Sequence, residues 1–244
     1  MNKYFVRPCG ERNRPLQPWV QGNESVTPAN FFGNHSPSCE YGMFIGIDVA
    51  VELYLAETID TGNLEDSWSK NNTYIEKAMK IANRDPVEDG YDLDNEEKIW
   101  ILEELGEPPC GSYNLYFITI YNENEEILMY IGKTDSRKSR FRGGHTAALK
   151  LHNPKYNGYK KRVYFGTVCF ISEEDGYLPM EFIQPFSVAK KLLSEVEAFL
   201  IRQLEPKLNK AKGEMGSLKK MNSLHIQNFS GESDFLNDEI LFGD

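Results

Sequence analysis

The chain is poor in the features that most often announce a function. Its four cysteines, at positions 9, 39, 110 and 169, contain no Cys-x-x-Cys pair. That absence removes the common zinc and dithiol frameworks and points to reduced thiols in a cytoplasmic protein. Cys9, His35 and Cys39 match no recognised zinc spacing, so unpaired buried cysteines are the expectation there. Long apolar runs are missing too. The most apolar window, YGMFIGIDVAVELYLAETI, is interrupted by Asp48, Glu52 and Glu57, which argues for strands inside a globular fold and against a membrane span. The opening MNKYFVRPCGERNRP lacks the apolar core of a secretory signal. No glycine lies between Gly111 and Gly132. This matters because Gly132-Lys133-Thr134 imitates the end of a phosphate-gripping loop. Such a loop needs a glycine five positions earlier so that backbone amides can turn inward. Ile127 stands there, preceded by Glu123, Glu125 and Glu126, and the nucleotide-loop reading fails. No internal repeat, tandem helix-hairpin-helix or zinc finger is present.

What remains is ordinary in bulk and uneven in detail. The 244 residues, 40% hydrophobic and 12% aromatic, suit one large domain or two small ones. The net charge of −10 is distributed asymmetrically. Residues 1–109 hold 9 Lys+Arg against 20 Asp+Glu, residues 110–212 hold 16 against 11, and residues 213–244 hold 2 against 6. A basic middle can contact phosphates locally despite acidic flanks, because salt screens distant charges within about 10 Å.

The pattern along the chain divides it into three. Irregular sequence fills the first forty residues, and β-branched residues from Met43 to Tyr54 predict a strand or two. Helices follow at DSWSKNNTYIEKAMKIANRD and at DNEEKIWILEELG, the latter capped by Asp94 and stopped at Gly106. Pro108-Pro109 marks the expected boundary of an N-terminal region, 1–109, of α/β character. YNLYFITIYN and EILMYIG predict a hairpin across NENEE. Asp135 would cap a basic helix, SRKSRF, ended at Gly143-Gly144; KRVYFGTVCFI is a third strand and SVAKKLLSEVEAFLIRQL an amphipathic helix. The residues after Gly213 read as an acidic, mobile tail, with Phe235, Leu236, Ile240, Leu241 and Phe242 available to dock.

Within 110–212 the residues resemble a known family. Asn114-Leu115-Tyr116 and Tyr130-Ile131-Gly132 on neighbouring strands, Arg140 eight residues beyond Gly132, His145, Glu197 heading EAFLI, and Asn209 in PKLN follow one another in the order of the GIY-YIG nuclease domain. Three departures are visible. Asn114 stands in place of glycine, thirteen residues separate Tyr116 from Tyr130, and His145 follows Arg140 by one residue more than usual. On a regular helix one extra residue turns a side chain by about 100°. The resemblance implies an α+β fold built on a small three-stranded antiparallel sheet flanked by helices.

It also implies a metal-dependent DNA endonuclease, of restriction or other anti-foreign-DNA type, with Tyr116, Tyr130, Arg140, His145 and Glu197 catalytic. Glu197 would bind Mg2+ or Mn2+, and double-stranded DNA would be the partner, with a homodimer suited to two cuts in a palindrome. Phosphodiester cleavage accumulates negative charge, which a metal and a guanidinium stabilise. A free tyrosine has a pKa of about 10, so a base role needs cations such as Lys133 and Arg140 nearby. On a helical wheel Glu197 falls at the edge of the apolar arc, between Leu204 and Ile201, while Glu195 falls on the polar side. The residues alone leave Glu197 readable as a half-buried ion-pair partner and the tyrosines as cross-strand packing. Lys133, Arg142, Tyr156, Tyr159, Lys160, Lys161 and Asn209 are the expected substrate contacts. The stretch YNGYKKR interleaves aromatics with charge, and reads equally as a solvated loop. The alternative function is a catalytically weak module of this type that binds nucleic acid or a partner protein.

Overall fold

The computed structural model describes residues 13–22, 28, 42–134, 141, 144–172, 176–210 and 223–243. A short helix, α1 (Gln17–Val20), carries Pro18 in its first turn. After it come β1 (Met43–Glu52) and a tight 3-10 segment at Leu53–Thr58. α2 (Leu64–Ile81) starts where the Asn63 side chain accepts the Asp66 backbone N–H at 2.9 Å. α3 (Asn95–Leu105) has the cap expected of Asp94. Its carboxylate accepts the Glu97 N–H at 2.9 Å, and Glu97 reaches back to the Asp94 N–H at 2.7 Å. β2 (Leu115–Tyr121) and β3 (Glu126–Lys133) form the expected hairpin. Its turn is shaped by the Asn122 side chain, which accepts two backbone N–H groups. Then follow α4 (Thr146–Lys150), β4 (Lys160–Ser172), β5 (Gly176–Pro179), α5 (Phe186–Leu204), β6 (Ser223–Asn228) and β7 (Glu239–Phe242). Among the described residues no helix is long and apolar enough to cross a membrane.

The fold is α+β, but the sheet is not the small three-stranded one that the resemblance implies. Seven strands join in the order β3-β2-β4-β1-β6-β7, with β5 pairing with the second half of β4. The reason lies in β4. Val163 to Phe170 are buried without the alternation of a half-exposed strand, so this strand needs cover on both faces and neighbours on both edges. β2 and β5 share one edge, and β1 takes the other in an antiparallel ladder from Met43–Phe170 to Glu52–Arg162. β1 lies before Pro108-Pro109 and β6 and β7 lie after Gly213, yet all three belong to the sheet that holds the hairpin.

Two apolar layers cover this sheet. Leu115, Phe117, Ile131 and Tyr164 face the longer helices and pack with Leu193, Val196 and Phe199 of α5. Tyr116, Ile118, Val163 and Phe165 face the other way, against Ala147 and Leu151 around α4 and Ala56 of the 3-10 segment. The C-terminal residues, read from sequence as a mobile tail, are held by particular contacts. Phe235 stacks on Tyr164 at 5.0 Å. The Ser233 hydroxyl sits 2.6 Å from the Tyr164 hydroxyl and donates to Glu126 at 2.8 Å. Burial, with Glu126 adding to it, pushes the Tyr164 hydroxyl up to about 12.

The segment after the two prolines is a joint. Glu181 is fully buried and accepts the Ser67 hydroxyl at 2.9 Å and the Ser112 N–H at 3.3 Å. Asn13 donates to the Ser112 carbonyl at 3.1 Å, so α2, the entry to β2 and the N-terminal residues meet at one carboxyl. Burial raises the Glu181 pKa above its ordinary 4.5. Above that value an unfolded chain releases this proton before the folded chain does, so stability from this group is lost as pH rises through the folded pKa. Glu181→Gln keeps an acceptor for Ser67 and Ser112 and removes the slope. In urea unfolding between pH 4.5 and neutrality, the variant should gain on the wild type as pH rises; a constant gap would contradict the buried-carboxyl account.

Candidate active site

The site is built on one close approach between neighbouring strands. Tyr116 pairs directly with Gly132 across β2 and β3, and its ring lies over that glycine. A Cβ at position 132 would come within 2.2 Å of the Tyr116 hydroxyl and 2.3 Å of Cζ, so only hydrogen fits. The register shifts between Ile118 and Thr119, leaving Met129 as the extra residue of a bulge. Met129 and Tyr130 consequently both face the Tyr116 layer, while Leu128 and Ile131 face the helices. The bulge thereby brings Tyr130 against Tyr116, with ring centroids 6.0 Å apart and planes 26° from parallel.

His145 completes the cluster. Its ring lies 5.6 Å from Tyr116, 5.3 Å from Tyr130 and 5.1 Å from Phe141. Its Nε2 is 2.9 Å from the Tyr116 hydroxyl, and its Nδ1 accepts the Ala148 N–H at 3.4 Å as the cap of α4. A ring nitrogen that accepts carries no proton, so the neutral imidazole holds its hydrogen on Nε2 and donates to the Tyr116 oxygen. The extra residue in the Arg140–His145 spacing does not turn this side chain away. His145 stands in extended backbone, φ −119° and ψ 125°, ahead of α4, where helical angles do not apply.

The other half of the site wraps over the edge of β3. A cleft of about 520 Å³ is lined by Tyr130 and Lys133 of β3, Ser194, Glu197 and Ile201 of α5, and Asn209 beyond it. The Lys133 ammonium donates to the Ser194 hydroxyl at 2.5 Å, and that hydroxyl donates to the Lys190 carbonyl at 2.9 Å, which fixes the lysine at the cleft. Glu197 is half-buried, as its place on the wheel predicts. Glu195, expected on the polar side, is only 5% exposed, because α5 is covered around more of its circumference than one apolar arc. Ser194 was not legible as a site residue, although its place three residues before Glu197, one turn away on the same helix face, is the signal that would have found it.

Several expected substrate contacts have partners within the protein. The Asn209 amide accepts the Ile131 N–H at 2.9 Å and donates to the Ile131 carbonyl at 2.8 Å, and Leu208 donates to Met129 at 2.8 Å. This pairing closes the outer edge of β3. Tyr156 is in the core below α4. The Tyr159 hydroxyl donates to Glu125 at 2.8 Å, and Lys161 donates to the carbonyls of Tyr156 and Tyr159, whereas Lys160 is exposed. Asn114, standing for the family glycine, is buried. It donates to the Ser112 hydroxyl at 2.8 Å and accepts the Val168 N–H at 3.3 Å, anchoring the start of β2. Arg140, Arg142 and all of the basic helix predicted at SRKSRF except Phe141 lie outside the described residues, as do Cys9, His35 and Cys39. Cys110 and Cys169 are free thiols.

Among the described residues no three His, Cys, Asp or Glu side chains gather into a metal cage, so a cation here would rest on Glu197 as the one carboxylate lining the cleft. The chain matches no family model, no curated protein and no solved structure. Its chemistry is therefore read from these atoms.

The Tyr116–Gly132 contact makes a testable demand. Gly132→Ala should destabilise by about 1–3 kcal/mol through overpacking. In a Tyr116→Ala background, which removes the ring, the same change should cost much less. Equal costs in both backgrounds, measured by chemical denaturation, would contradict the packing described.

Proposed function

We propose that the protein is a metal-dependent DNA endonuclease of the GIY-YIG type, hydrolysing phosphodiester bonds in double-stranded DNA as a cytoplasmic restriction or anti-foreign-DNA enzyme. One observation carries this reading. Tyr130 belongs both to the Tyr116–His145 cluster and to the cleft lined by Lys133 and Glu197, so phenol, imidazole, ammonium and carboxylate converge on a single edge of the sheet.

The donor set fits Mg2+ or Mn2+. One carboxylate with waters and phosphate oxygens is an ordinary shell for Mg2+, and Glu197 would hold it. When bound, the ion supplies positive charge to the phosphoryl oxygens and polarises the leaving group. The remaining steps belong to this chain. Lys133, fixed by Ser194, faces a non-bridging oxygen with a charge-assisted hydrogen bond. Tyr130, the phenol lining the cleft, orients the attacking water for in-line displacement. Tyr116 and His145 sit behind it and hold its ring. Arg140 is assigned to the developing phosphoryl charge by the family resemblance. A homodimer would place two such sites on a palindrome.

With purified protein, Mg2+ or Mn2+ and varied duplex DNAs, Glu197→Ala should lower the cleavage rate by at least about a hundredfold. Undiminished cleavage would refute this site. Binding without nicking in the wild type would instead favour the catalytically weak module.

A further inference from the structure

A second cleft, of about 560 Å³, opens on the far side of His145. His145 is a wall of this cavity and, through Tyr116 and Tyr130, is continuous with the cleft of Glu197. Its other lining residues come from separate elements. Tyr54 and Glu57 belong to the 3-10 segment after β1, Leu149 to α4, and Lys160 and Lys161 to the start of β4. Two large apolar side chains here are left in solvent, Tyr54 at 76% and Leu149 at 65% exposure. Neither is needed by the core.

We propose that this cleft binds one unstacked nucleotide of the DNA strand flanking the scissile phosphate. The inference deepens the nuclease reading and rests on it for the identity of the strand. Four features select this occupant. The volume lies within the range of small-ligand pockets and holds one nucleotide. Tyr54 offers an aromatic face on which any base can stack. Two ammonium groups line the same space for a phosphate: Lys160 is exposed, and Lys161 uses two of its three donors on the carbonyls of Tyr156 and Tyr159. The exposed Glu57 supplies an acceptor for base N–H groups, and together with Glu52, which also lines the cleft, it disfavours a bare phosphate. The 3-10 segment comes from the acidic N-terminal region, so this cleft gives that region a direct part in holding substrate.

The test uses the full chain, a chelator to suppress cleavage, and a short single-stranded DNA carrying one fluorescent aminopurine. Binding to the wild type should quench the probe by stacking. Tyr54→Ala should abolish the quench and weaken binding about tenfold, and Tyr54→Phe should restore both. Glu197→Ala should leave the quench intact. Absence of binding by the wild type, or an unaltered quench and affinity in Tyr54→Ala, would overturn the proposal. The two readings fail separately: cleavage that survives Glu197→Ala while Tyr54-dependent quenching persists would defeat the nuclease site and leave the cleft standing. Glu197-dependent cleavage with Tyr54-independent binding would do the reverse.

Discussion

The contact between the Tyr116 ring and the hydrogen of Gly132 is the constraint on which the rest of the site depends. A buried aromatic of this size contributes roughly 1.5–3 kcal/mol of burial free energy, but its importance here is positional. Because the phenol crosses the neighbouring strand at its one side-chain-free position, its oxygen ends beside the imidazole of His145. The bulge at Met129 then sets Tyr130 alongside. Two strands and one capping histidine thus orient three rings.

The edge of β3 performs two tasks at once. Asn209 and Leu208 pair with its backbone, which prevents the open ladder from recruiting another strand. The same pairing holds the end of α5 against β3, so that Glu197 and Lys133 face one cleft. The helix therefore delivers its carboxylate to the rim of the sheet. The basic excess lies in residues 110–212, and the acidic flanks enter the sheet as β1, β6 and β7 on the side of β4 away from the β2–β3 hairpin.

How much of this was legible in the sequence depends on the range of the interaction. Local signals read well: the Asp94 capping box, the NENEE turn, and the edge position of Glu197 on its helix all concern residues within a few positions of each other. The meaning of Tyr-Ile-Gly was legible only as a pattern, since the reason for its glycine is the Tyr116 ring, sixteen residues away on another strand. The seven-stranded sheet was not legible, because parallel pairing of β1 with β6 joins residues far apart in the chain, with no periodicity to announce it. The backbone pairing of Asn209 with Ile131 was not legible, as an amide suits backbone and ligand equally well. In the C-terminal segment Phe235 was legible as a residue available to dock, but its partner was not: Phe235 and Ser233 meet Tyr164 and Glu126, contributed by β4 and β3.

The most direct measurement is a crystal structure of the complex with a short DNA duplex and Ca2+, which binds oxygen ligands while supporting little chemistry. The account places the ion on the Glu197 carboxylate, with a phosphate between Lys133 and Tyr130 and the Tyr116–His145 pair directly behind. An ion bound elsewhere, or DNA lying on a face that leaves the β3 edge in solvent, would contradict it.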